Sequence, residues 1–387
     1  MSRLFVSTYQ GRIATLTFDP EAAHLEEIAS TEDSGDRPTW LSLDHKRRIL
    51  YTTDGGSRGS LKSFAIQNDG SLHLLDSIGI PKGPASQTLL HDGQRMTVPF
   101  YYSGSIVTYD LEDPSDLKVL QEISFPNASA GPGRRQDQSR PHNTTTDATG
   151  RFMVIADLGA DIVRVFSIDD SNTPLREISG LHLPRPTFPR QVAFVRLPHG
   201  VHMYILCEDS NRLLGFKVDY QLGGEMDFTP VQDVNVLVRE DGSVISLWKD
   251  PSTPSHGWYP KASHIAVSPD NKFIIVSLRG DYSHRGTSPE ETVCDSLVSY
   301  AIDPDTGILT IADSASSGGN IPRHFALNKA GDLVAVVAQR NGWISVLNRD
   351  PGTGKIGGVV AVKDGFGGDF TGFHGSLRGP VNVVWDE

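Results

Sequence analysis

The sequence predicts an all-β chain folded as a seven-bladed β-propeller of four-stranded antiparallel blades, and three observations carry that prediction. Helical periodicity is almost absent; short runs of Val, Ile, Leu, Phe and Tyr alternate with Gly, Asp, Asn and Pro turns. One local grammar recurs, with a Pro-anchored His or Arg opening a strand and a polar turn reversing it. It appears over Arg140–Leu158, at Pro189-Arg190-Gln191, at Ala262–Ile265 with Pro269-Asp270-Asn271, and at Pro322-Arg323-His324 with Lys329-Ala330-Gly331. Self-similarity at a period of roughly 50 residues, stretching to about 70 once, is the mark of radially repeated blades. Finally, the two chain ends hold complementary leftovers that together make one further blade.

The apolar runs group in fours. The first group is Trp40–Leu43, Ile49–Thr53, Leu61–Ile66 and Leu72–Ile78; the second is Gln87–Leu90, Met96–Tyr101, Ser105–Leu111 and Leu117–Ile123. The third opens at His142 and continues with Phe152–Leu158, Ile162–Ile168 and Leu175–Leu181. The fourth runs from Gln191 through His202–Cys207 and Leu213–Val218 to Met226–Val231. His264–Val267, Phe273–Leu278, Leu297–Ile302 and Ile308–Ala312 make the fifth. His324–Leu327, Leu333–Ala338, Ile344–Asn348 and Gly357–Val362 make the sixth. Leu4–Ser7, Ile13–Phe18 and His24–Ala29 lack a first strand, which Val381–Trp385 supplies. The whole chain, 1–387, is thereby read as a single propeller domain.

Composition narrows the function. Charged residues are 21% and hydrophobics 38% of 387 residues, enough for a sizeable core. A formal charge of −12 without a Lys/Arg block speaks against nucleic acid and anionic membrane as partners. Neither a signal peptide nor a run of roughly 18 apolar residues is seen. The two cysteines, Cys207 and Cys294, fit a reducing compartment. The expectation is a soluble, cytoplasmic chain, with self-association left open. The glycosylation sequons at Asn127 and Asn143 are read as accidental.

Naming the strands of a blade A to D from the channel outward, the start of A and the end of B share a face with the D–A and B–C connections. The long segments 126–141, 232–262, 280–296 and 364–380 all fall there, and loops beyond about 12–15 residues are uncommon unless functional. The polar residues at A-strand starts and B-strand ends should ring the channel mouth on that face. Trp40, His142, Arg190, His264, Arg323 and His324 come from A starts. Asp54, Tyr101, Tyr102, Asp157, Glu208, Asp209, Arg279, Gln339 and Arg340 come from B ends. Such a set offers cationic clamps for a carboxylate or phosphate, and His142 with Glu208 offers an acid–base pair. Each has a plainer reading, as a water-bridged channel residue or as turn chemistry; their shared address argues for function. The substrate contacts expected on these grounds are Arg140, His264, Arg323, His324 and Arg340. No phosphate loop, nucleophile elbow, or Cys/His set spaced for zinc is present, and neither a metal nor an organic cofactor is expected.

Pro-Arg or Pro-His before an A strand, with Ser-Pro-Asp-Asn-Lys-Phe (268–273) or Lys-Ala-Gly-Asp-Leu (329–333) at an A–B turn, resembles the seven-bladed propeller lactonase family. That family includes 6-phosphogluconolactonase and the fungal 3-carboxy-cis,cis-muconate cyclase, and the resemblance spans residues 4–385. It implies an active site of His142, Arg190, Glu208 and Arg279 on successive blades. Trp40-Leu41, Arg48–Tyr51 and Asn382–Trp385 lean to the cyclase; Arg140-Pro141-His142 and Pro322–Phe325 lean to the lactonase. The implied activity is the opening or closing of a lactone ring in a small anionic substrate. A non-catalytic scaffold for a protein or small-molecule partner is the alternative.

Overall fold

The computed structural model describes residues 1–125, 133, 135–169, 173–239, 243, 260–284, 293–367 and 378–387. Seven sheets of four antiparallel strands are arranged around a channel, and the A strands of neighbouring blades pack against one another at the centre. Blades 1 to 6 follow chain order. Blade 7 joins Pro380–Asp386 as strand A to Ser2–Thr8, Arg12–Asp19 and His24–Thr31. The ring is therefore closed by one C-terminal and three N-terminal strands, as the complementary chain ends predict.

Strands fall where the apolar runs put them because B and C strands are buried on both faces, while D strands alternate. Ile49–Asp54, strand B of blade 1, is buried at all six positions, and Leu72–Gly79, its D strand, alternates between exposed and half-buried residues. Apolar side chains fill the spaces between neighbouring sheets, as in the cluster that joins Val195, Tyr204 and Leu206 of blade 4 to Ile274, Val276 and Val298 of blade 5. A few boundaries move. Strand A of blade 2 is only Thr88–Leu89, strand D of blade 4 extends to Asn235, and strand A of blade 5 begins at Lys261. The last two shorten the expected 232–262 connection. Most of the four expected rim segments (126–132, 134, 240–242, 244–259, 285–292 and 368–377) lies outside the described residues.

One local feature decides what faces the channel mouth. In blades 1, 3, 4 and 6 strand A opens with a proline, and its pairing with strand B slips by one residue immediately afterwards. Pro38↔Asp54 is followed by Trp40↔Thr53, Pro141↔Asp157 by Asn143↔Ala156, Pro189↔Cys207 by Gln191↔Leu206, and Pro322↔Ala338 by His324↔Val337. Thr39, His142, Arg190 and Arg323 are the residues left out of the ladder. A β-bulge of this kind re-aims a side chain away from the sheet faces. Proline suits the position because its missing N–H is no loss at a strand's first residue.

Candidate active site

The bulge residues converge. Thr39, His142, Arg190 and Arg323 all line one cavity of about 360 Å³ at the channel mouth, together with Tyr9, Arg37, Tyr101, Tyr102, Arg135, Glu208 and Arg279. Glu208 follows strand B of blade 4, and its backbone N–H donates to Phe188 O at 2.9 Å, which fixes it beside Arg190. Arg279 ends strand B of blade 5.

Glu208 is the electrostatic centre. Arg190 Nε donates to its Oε2 at 2.8 Å, and Arg135 Nη1 donates to its Oε1 at 2.8 Å. Arg279 Nη2 stands 3.2 Å from the same Oε1 but off the hydrogen-bonding direction, so it forms an ion pair without a hydrogen bond. Burial pushes the carboxyl's pKa up, but Arg279, Arg135 and Arg190 outweigh it and hold Glu208 well below the usual carboxylate range. Glu208 is consequently a fixed anion that organises guanidinium groups, and a poor proton acceptor at neutral pH.

His142 is the converse. Burial, then the positive field of Arg190, holds its pKa well below 6.5 against the smaller opposing effect of Glu208. The ring is neutral at pH 7, and its Nδ1 makes no hydrogen bond among the described residues. Tyr101 meets the imidazole edge to face, with ring centroids 6.0 Å apart. Burial also lowers Arg190, to about 9, and it stays cationic at neutral pH. Arg279 Nε is buried and without a hydrogen bond. Five arginines against one carboxylate give this wall a strong positive excess in a chain of charge −12.

The four residues expected to be catalytic, His142, Arg190, Glu208 and Arg279, are thus brought together, and Arg323 joins them. The other expected substrate contacts are placed elsewhere. His324 is paired with Val337 in the ladder, and His264 lies in the register shift of blade 5's strand A; the two pack against each other with ring centroids 3.9 Å apart and against Trp40, and border a different recess with Leu327 and Trp385. Arg140 donates to Asp137 Oδ1 at 2.7 Å and lies over Tyr101, so it reaches His142 only through that ring. Arg340 Nη1 donates to the Tyr282 hydroxyl at 2.8 Å. Neither arginine borders the cavity. Asp54 and Asp157, also expected at the rim, accept the backbone N–H of Arg37 and Arg140 at 2.7 Å each and hold the chain entering strand A.

Three charged or aromatic residues of the cavity wall, Tyr9, Arg37 and Arg135, were not singled out from the sequence. Arg37 carries a signal in hindsight, since it precedes the strand-opening Pro38 as Arg140 precedes Pro141. Tyr9 follows strand B of blade 7 at the position that Glu208 takes in blade 4, where each N–H bonds the residue before the A strand. Arg135 has no such signal, because it comes from an irregular segment.

Comparison with known proteins supplies an independent view. The family described as lactonase, 7-bladed beta-propeller, matches residues 3–365. A protein of Arthroderma benhamiae named probable 6-phosphogluconolactonase is 27% identical over 359 residues, covering 91% of this chain and 83% of that protein. Two solved structures share the fold at lower identity. The periplasmic gluconolactonase of Pseudomonas aeruginosa superposes with a TM-score of 0.78 at 21% identity, over 99% of this chain and 98% of that one. A putative 6-phosphogluconolactonase of Bacteroides fragilis gives 0.75 at 20%, over 99% and 97%.

Proposed function

The chain belongs to the seven-bladed β-propeller lactonase family, and from that premise we propose that it hydrolyses the ring ester of a small anionic sugar-acid lactone. The observation that carries this reading is a pairing within one buried wall. His142 presents a neutral imidazole with an unbonded Nδ1, and Arg279 presents an unbonded Nε beside the Glu208 ion-pair cluster. The names of the relatives, with 6-phosphogluconolactonase among them, support the substrate class.

In this mechanism His142 takes a proton from water as the water oxygen bonds to the lactone carbonyl carbon. The carbonyl oxygen becomes an oxyanion, which Arg279 and Arg190 stabilise by donors fixed before the reaction begins. Collapse of the tetrahedral intermediate breaks the ring C–O bond, and His142 returns its proton to the departing ring oxygen. Glu208 does not move a proton; it keeps Arg135, Arg190 and Arg279 aligned without neutralising them all. A bound substrate anion cancels part of the field of Arg190, Arg323 and Arg279, so His142 becomes a stronger base once substrate is present. The lactone-forming direction on a carboxylated diene would use the same groups, and no feature of the wall favours it. A cytoplasmic location is proposed with it, supported by two buried cysteines that form no disulfide.

The test is ring opening of 6-phosphogluconolactone, glucono-1,5-lactone and carboxymuconate, with the Arg279→Gln and His142→Gln variants beside the wild type. Arg279→Gln should lower kcat by about 10²–10³-fold and His142→Gln by about 10²–10⁴-fold, with unchanged thermal unfolding. Undiminished turnover in either variant sinks the residue assignment, and cyclisation of carboxymuconate without lactone hydrolysis sinks the reaction.

A further inference from the structure

Three members of the cavity wall, Arg135, Arg190 and Glu208, depend on one buried carboxylate that does not itself border the cavity. Asp161 stands in the B–C turn of blade 3, between Phe152–Asp157 and Ile162–Ile168, and is 1% exposed. Its Oδ1 accepts the backbone N–H of Thr187 at 2.9 Å and of Phe188 at 2.7 Å, and its Oδ2 accepts from Gln136 Nε2. The first two bonds grip the chain entering strand A of blade 4. The third grips the segment entering blade 3. Each grip sits beside a wall arginine. Phe188 lies two residues before Arg190, and its carbonyl accepts the N–H of Glu208 at 2.9 Å. Gln136 follows Arg135, and its Oε1 accepts from Gly133 N at 3.1 Å. The two gripped segments also meet: Arg135 Cζ lies 6.0 Å from the Phe188 ring centroid, and a Cβ on Gly133 would stand 2.4 Å from that ring.

The grip on blade 4 holds a strained backbone. Phe188 has a φ of +58°, a left-handed conformation that a bulky side chain rarely adopts. It also precedes Pro189, and the residue before a proline ordinarily takes an extended backbone. The arrangement repeats in blade 6. Ile321, before Pro322 and two residues from Arg323, has a φ of +57°, and its N–H donates to Asp295 Oδ2 at 2.6 Å. Asp295 is fully buried and lies just before strand C of blade 5. Twice, therefore, a buried carboxylate from one blade holds the strained residue that launches a cavity arginine from the next. Such strain persists only where the surroundings over-determine it.

We propose that Asp161 is a positioning residue of the hydrolytic site, aiming Arg190 through Phe188 and Arg135 through Gln136 so that both meet Glu208. This deepens the hydrolase reading and rests on it. Both Asp161 oxygens are committed to N–H donors, so the carboxylate acts by geometry and takes no part in proton transfer. Movement of Phe188 displaces Arg190 and Glu208 together, because one residue supports both; movement of Gln136 displaces Arg135. Arg190 belongs to the donors that stabilise the oxyanion, so misalignment costs the transition state more than the bound lactone. Asp161→Asn separates the two arms. It keeps an acceptor for Thr187 and Phe188 but turns an amide toward Gln136 Nε2, so that two donors face each other unless Gln136 turns over and abandons Gly133. Adding Gln136→Glu restores a donor–acceptor pair with its polarity reversed, and the second carboxylate oxygen still accepts from Gly133 N.

The experiment compares the wild type with Asp161→Asn, Gln136→Leu and the double variant Asp161→Asn/Gln136→Glu on two fronts. The first is steady-state hydrolysis of 6-phosphogluconolactone and glucono-1,5-lactone. Each single variant should lower kcat by about tenfold or more with KM within about twofold, and the double variant should recover most of the loss. Undiminished kcat in both single variants, or a loss confined to KM, overturns the proposal. So does a double variant that regains thermal stability without regaining kcat. The second front is modification by phenylglyoxal, mapped by mass spectrometry, which does not depend on turnover. Arg135 should react faster in both single variants than in the wild type and return to the wild-type rate in the double variant. Unchanged reactivity of Arg135 overturns the proposal. If no lactone is turned over, the hydrolase reading fails, and the mapping then decides the positioning alone. Thermal unfolding shows whether each variant is folded; because both single variants break the same bond, either one carries the comparison if the other does not fold.

Discussion

Glu208 and His142 were legible from the sequence as neighbours at the channel mouth, but the state of each group was not. It depends on how many cations face each group. Three arginines approach Glu208 and fix it as an anion, while burial and the same field keep His142 neutral. The sign of the resulting pH dependence follows. Protonating His142 would remove the proposed base, so activity should be lost as pH falls through its pKa, which lies below 6.5 in the free protein. An anion bound among Arg190, Arg323 and Arg279 raises that pKa. The acid limb of kcat, which reports the complex, should therefore have a higher midpoint than the acid limb of kcat/KM, which reports the free enzyme. Rate profiles between pH 4 and 8 measure both; identical midpoints would remove His142 as the base. Arg37 escaped notice for a related reason: its guanidinium borders the cavity without an ion pair among the described residues, and a sequence does not show which charges are already neutralised.

At the scale of the strand, alternation and turn residues placed all seven blades, since burial on one or both faces of a strand is written in its residue types. The bulge after the opening proline was not legible, because a one-residue slip leaves composition unchanged. That slip separates Arg323, which faces the cavity, from His324, which pairs with Val337 and packs on His264 and Trp40. Residues grouped by the sequence as one rim set thus divide into cavity wall and channel filling. The chain entering a bulge also needs an anchor, and in blade 3 Asp157 provides it. Its side chain is fully buried and accepts from Arg140 N at 2.7 Å, Ala160 N at 3.2 Å, Arg164 Nε at 3.2 Å and the Ser139 hydroxyl. Asp157→Asn weakens several of these bonds and leaves Glu177 as the ion-pair partner of Arg164 among the described residues. It should cost roughly 3 kcal/mol of stability in urea unfolding. Loss of less than about 1 kcal/mol would show that the bulge needs no such anchor.

Across the whole molecule the same channel imposes a pH limit on the fold. His142, His264 and His324 are buried and neutral; burial is the main cause in each, and His324 is pulled down to about 3. In the unfolded chain they titrate near 6.5. As pH falls below 6.5 the unfolded state binds protons that the folded state refuses, so stability present above 6.5 is lost on the way down. Each such histidine contributes a slope of about 1.4 kcal/mol per pH unit. Asp295 works in the opposite sense. Burial, then the neighbouring Asp281, raises its pKa, so the folded state holds a proton there that the unfolded state has released. These three histidines, with His202, whose pKa burial also lowers, against one carboxyl leave a net difference of about two to three protons. Unfolding free energy should thus fall by about 3–4 kcal/mol per unit as pH drops from 6 toward 4.5. Urea titrations at half-unit steps read this slope directly. His324→Gln should flatten it by about one proton and Asp295→Asn should steepen it by about one. A wild-type slope at or below zero in that range would mean that the channel histidines are charged in the folded protein, because Asp295 then stands only against His202, and the neutral His142 on which the proposed chemistry depends would fall with them.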